Sequence, residues 1–231
     1  MPTSREIKGL LQPLLDRRRD LAFVGRTLFF TPIRHYLRGV IFVAYWTTSA
    51  SRVVSFASPL YNGHFDVDFG GEQNKQASFH MERDWKDDLQ RTSQKLCDKI
   101  ESYSLPPIEP LIDFPHHRKV PAYFFGYSSR RPYPPGYGRD FSLNACIEGK
   151  FDLAEEVLVE SLEGILPDIA EGNMEKFRQD IDWLNRAAYL LHLLRADRSR
   201  ILPLLHEWEA FKVKSCKMTK YWKPSPFPCE L

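Results

Sequence analysis

His64, Asp66 and Asp68 stand two residues apart in His64-Phe65-Asp66-Val67-Asp68-Phe69, and that spacing is the strongest chemical signal in the chain. A β-strand turns alternate side chains to one face, so the imidazole and both carboxylates would share a surface. One nitrogen and two carboxylate ligands suit a divalent metal, with His80 or Asp84 as a further ligand, and a metal held there would activate water for a hydrolase or nuclease. The same letters have a plainer use. Phe65, Val67 and Phe69 would form the core-facing half of the strand, and their neighbours would be polar because they meet water. The plainer use is preferred. No cofactor is then expected, and a divalent metal enters only with the alternative in which His64, Asp66 and Asp68 are catalytic.

Two further groups of residues suit binding rather than bond-breaking. His116 and His117 precede Arg118 and Lys119, and Arg130 and Arg131 follow soon after, interleaved with Tyr123, Tyr127 and Tyr133. Cations mixed with aromatic rings hold single-stranded nucleic acid, and the same mixture anchors protein contacts. Nearer the start, Arg34 and Arg38 join Arg17, Arg18, Arg19 and Arg26 in a basic cluster that would receive a phosphate or carboxylate. Asp16, Asp20, Asp66 and Asp68 are the acids expected to neutralise it. No Gly-x-Ser-x-Gly, phosphate-binding glycine loop or dinucleotide fingerprint occurs. Cys97 and Cys146 sit among apolar neighbours, as small buried side chains do.

The elements that must position these residues follow from patterning. Ile7, Leu10, Leu11, Leu14 and Leu15 recur at helical intervals, and Ser4 is placed to cap a helix over residues 4–18. Residues 21–30, 36–46, 53–61 and 64–69 read as strands by their β-branched and aromatic content, and residues 79–81 as a short additional one. Asp84 would cap a helix from Trp85 to about Tyr103. Residues 105–135 carry eight prolines among Tyr and Phe, which predicts an ordered but irregular connection. Helices follow to residue 220, with glycines at their turns. Residues 145–154 and 169–177 share a helix, Gly-turn, helix layout, which two copies make a bundle with Gly stops rather than a solenoid.

The fold class expected is α+β: an antiparallel sheet of about four strands covered by helices, followed by a helical carboxy-terminal part. The expected organisation is residues 1–105 as the sheet with flanking helices, 106–138 as the Pro/aromatic connection, and 139–231 as the helical part packed on the first. A net charge of +2, from 32 basic and 30 acidic side chains, gives no global pull toward nucleic acid or anionic membrane. No run of about 18 apolar residues would cross a bilayer. Met1–Glu6 lacks the apolar stretch of a signal peptide, and the four cysteines show no close pair, so a reducing cytoplasm is the expected setting. A non-enzymatic module that binds another protein, such as an adaptor, inhibitor or immunity-type protein, is the functional reading preferred. The metal-assisted hydrolase or nuclease is the alternative, and a nucleic-acid-binding protein is the third.

Overall fold

The structure is a computed structural model and describes residues 2–44, 51–62, 79–81, 86–110, 135–164, 170–171 and 181–231. The chain divides into two compact units of non-consecutive segments. One comprises Met1–Pro59, Asp66–Tyr127 and Cys216–Lys223; the other comprises Leu60–Phe65, Ser128–Ser215 and Pro224–Leu231. The fold is the expected α+β arrangement, an antiparallel sheet covered by helices and then a helical carboxy-terminal region.

In the sheet unit, α1 spans Ser4–Arg17 and buries Ile7, Leu10, Leu11 and Leu14, which repeat at three- and four-residue steps. Thr3, rather than Ser4, caps it: its hydroxyl accepts the Glu6 amide at 3.2 Å, and the Glu6 carboxylate accepts the Thr3 amide at 2.7 Å. Pro13 lies inside the helix without ending it. The residues expected as one strand over 21–30 form a hairpin, β1 (Leu21–Val24) and β2 (Thr27–Phe30). The turn is Gly25-Arg26, with Gly25 at φ +61°, a left-handed geometry that a side chain would resist.

β3 (Tyr36–Ala44), β4 (Ser51–Pro59) and β5 (Phe79–Met81) complete a sheet of five strands among the described residues, in chain order and antiparallel throughout. The hairpin supplies two strands where one was expected over residues 21–30, the short strand expected over 79–81 is β5, and the strand expected over 64–69 lies outside the described residues. Where β2 meets β3, Phe29 pairs with Gly39, and the strands approach so closely that a Cβ on Gly39 would stand 2.1 Å from the Leu28 carbonyl oxygen.

α2 (Leu89–Lys99) is capped by Asp88, whose carboxylate accepts the Arg91 amide, and it runs on into a π-helical turn, Ile100–Ser104. It packs on α1, with Ser93 donating to the Leu10 carbonyl at 2.6 Å. One core gathers α1, α2 and the strands, including Leu11, Leu14, Leu28, Val40, Phe42, Val53, Leu96 and Ile100. The Tyr221 ring meets Phe29 edge-on at 5.3 Å, and the neighbouring backbone bonds to both sides of Ile33. Tyr221 and Trp222 therefore anchor their own segment to the sheet unit.

The helical unit contains α3 (Pro135–Ile147), α4 (Phe151–Glu163), α5 (Ile181–Ala196) and α6 (Ile201–Ser215). α4 packs on α3 and on α5. The inner stripe of α4 is Ala154, Val157, Leu158 and Ser161, and that of α5 is Trp183, Ala187, Leu190 and Leu194. No helix among the described residues is long and apolar enough to cross a membrane.

Candidate functional site

His64, Asp66, Asp68, His116, His117, Tyr123, Tyr127, Arg130, Arg131 and Tyr133 lie outside the described residues, as does Asp84. His80 is in β5, at the register position opposite Arg52. Arg34 and Arg38 are described and sit differently. Arg34 is exposed. Arg38 lies over the Phe30 ring at 4.5 Å and donates to the carbonyls of Ile108 and Glu109.

Two members of the basic cluster near the start, Arg17 and Arg18, are paired, mostly with acids distant in the sequence, and Asp66 and Asp68 lie outside the described residues. Arg18 pairs with Asp20 and Glu109 at 2.8 and 2.7 Å, and Arg17 pairs with Glu101. Asp20 was legible as a partner; Glu101 and Glu109 arrive only because α2 and its extension fold back beside α1. Arg18 holds the Asp20 carboxyl below its usual range.

Two constellations in the helical unit emerge from the residues upward. The inner stripe of α6 reads Ile201, Leu205, Glu209, Lys212, Val213, so two charged residues occupy positions that helical spacing assigns to the core. Glu209 is 0% exposed and Lys212 3%. Burying either charge is costly unless it is met by a partner. The Lys212 ammonium donates to Asn62 Oδ1 at 2.7 Å, and Glu209 meets His206 Nδ1 at 3.3 Å. The other ring nitrogen of His206 meets Glu230 at 2.9 Å. Phe227, fully buried, stacks on the imidazole at 4.1 Å and meets Tyr61 edge-on at 5.8 Å, while the Tyr61 hydroxyl donates to Asn144 at 2.5 Å.

The carboxylate of Glu209, followed by that of Glu230, raises the His206 pKa against the opposing pull of burial. In the protonated form both ring nitrogens are donors, so each is used by a carboxylate and neither offers a lone pair to a metal or a proton. This cluster is a clamp in chemical character. Among the described residues no group of three His, Cys, Asp or Glu side chains is placed to hold a metal.

The second constellation is the outer face of α4. Asp152, Glu155, Glu156, Val159, Glu160 and Glu163 line an open concavity of about 510 Å³. Arg195 reaches Glu155 at 2.8 Å and Arg198 reaches Asp152 at 2.6 Å. Glu156, Glu160 and Glu163 have no cation in reach among the described residues, and the last turn of α4 holds no basic residue.

No family profile, curated protein or solved structure matches this chain.

Three of the thiols, Cys97, Cys146 and Cys229, are held above their ordinary value by burial. Burial pushes Cys146 up to about 12 and raises Cys97, whose Sγ donates to the Leu10 carbonyl at 3.5 Å. Sequence reasoning passed over His206, Glu209 and the α4 carboxylates. A signal for Glu209 and Lys212 was present, since both continue the Ile201, Leu205 stripe. Nothing local pointed to Glu230, which lies 24 residues from His206 in a 3-10 turn, Pro228–Glu230.

Proposed function

We propose that this protein is a non-enzymatic interaction module and that the outer face of α4 receives a basic segment of a partner protein. The observation that carries this is the row Glu156, Glu160 and Glu163, exposed and without a cationic partner among the described residues. Like charges at three- and four-residue spacing repel along a helix. Glu160 and Glu163 also sit in the last turn, where the helix dipole disfavours an anion. A helix that keeps carboxylates where they weaken it is suited to a partner that supplies the missing cations. The same charge repels nucleic acid, which favours a protein over the third reading.

The test uses a labelled helical peptide of about four turns with Lys at every fourth position, titrated against the full chain by fluorescence anisotropy. Glu156→Gln/Glu160→Gln/Glu163→Gln should weaken binding by about tenfold or more, equivalent to about 1.4 kcal/mol. The charge-matched control, Asp16→Asn/Asp87→Asn/Glu207→Gln, removes exposed acids elsewhere and should bind as the wild type does. Equal affinity of the two triple variants would overturn the assignment.

A further inference from the structure

We propose that Phe227–Leu231 is a releasable strap on the helical unit, held while His206 carries a proton and let go when that proton is lost. Phe227, Cys229 and Glu230 each help to attach the strap. Phe227 fills the slot between Tyr61 and His206, the Glu230 carboxylate receives both the Phe227 amide at 2.6 Å and His206 Nε2 at 2.9 Å, and Cys229 lies beside the Cys146 carbonyl at 3.9 Å. Leu231, in the same segment, is 94% exposed.

The asymmetry of the two carboxylates decides which contact fails. The Glu209 side chain is 1% exposed, that of Glu230 30%. When His206 is neutral, one nitrogen still donates and the other presents a lone pair. A buried carboxylate cannot turn to water, so Glu209 retains the remaining N–H. The lone pair on Nε2 then faces Glu230, which repels it and has solvent to turn to. An imidazole is the side chain whose ordinary charge change lies nearest neutrality, and His206 supplies it here. Around it among the described residues are Glu209, Lys212 and exposed Glu207 from α6, Asn144 and Cys146 from α3, Tyr61 and Asn62 from the segment before them in the chain, and Glu230 and Cys229 from the strap itself.

The His206 pKa is raised in the docked form. Its contribution is therefore complete below the ordinary histidine value and is lost as pH rises through the raised one. Each unit by which docking raises that pKa changes the docked-to-free ratio about tenfold.

Hydrogen exchange of the full chain reads this directly. The Phe227 amide, bonded to Glu230, and the Glu230 amide, bonded to the Phe227 carbonyl at 3.0 Å, report the strap. Between about pH 6 and about pH 9, their protection, corrected for intrinsic exchange, should fall about tenfold or more while Leu205 and Val213 in α6 stay protected. In His206→Gln the fall should vanish. Should that variant not fold, Glu230→Gln serves the same purpose: its amide can donate to a neutral imidazole, so protection should no longer drop with rising pH. Protection that is flat with pH in the wild type would overturn the proposal. So would a wild-type slope in Glu230→Gln, or loss of α6 protection in step with the strap.

Discussion

Replacing Glu156, Glu160 and Glu163 together with Gln should stabilise the helical unit, and the amount can be worked from where they stand. The substitution removes three like-charge neighbours along α4: Asp152 with Glu156, Glu156 with Glu160, and Glu160 with Glu163. Each such pair destabilises a helix by about 0.2–0.5 kcal/mol. Removing the anions at Glu160 and Glu163 from the carboxy-terminal turn adds about 0.3–1 kcal/mol apiece at low ionic strength. Gln and Glu have nearly the same helix propensity, so the backbone term does not change. All three side chains are exposed, which places the expected gain in the lower part of that range, about 1–2 kcal/mol. Urea unfolding at about 0.1 M salt should show a higher midpoint with an unchanged slope. Near 1 M salt, where the screening length is about 3 Å, the gain should largely disappear. A variant no more stable than the wild type at low salt would refute the reasoning, because the carboxylates would then not be strained by their own neighbours.

Two perturbations of the sheet unit test its construction. Gly39→Ala drives a Cβ to within 2.1 Å of the Leu28 carbonyl oxygen and 2.8 Å of Phe29 Cα, both backbone atoms of β2. Relief requires the β2–β3 pairing to open, so the expected loss is about 3 kcal/mol, at the top of the overpacking range, measured by urea unfolding; a loss under about 1 kcal/mol contradicts the register. The amide of Thr3, followed by Lys86, holds the Glu6 carboxyl down from 4.5 to about 2. A depressed carboxyl stabilises the fold above its ordinary value, and that support is lost as pH falls through the depressed one. The stability difference between wild type and Glu6→Gln should therefore shrink as pH falls from 4.5 to about 2, followed by thermal unfolding, and a constant difference would remove Glu6 from the capping role.

The amino-acid sequence alone determined the elements whose evidence is local. The stripe Ile7, Leu10, Leu11, Leu14 marks α1 because a helix repeats every few residues, and the β-branched and aromatic runs over residues 36–46 and 53–61 mark β3 and β4 because a pleated surface favours them. The hairpin at Gly25-Arg26 was missed because that pair lacks the usual Asn-Gly or Asp-Gly signature and the strands on either side are equally apolar. Charge pairing was hidden for a different reason. Arg17 and Glu101 are 84 residues apart, and what joins them is the return of α2 alongside α1. That Glu209 and Lys212 fall on the inner stripe of α6 is a finding of the structure. Only the tertiary structure decided that Asn62 would meet Lys212 and that Glu230 would take the second ring nitrogen of His206, because a buried charge fixes the need for a partner but not the place in the sequence from which it comes.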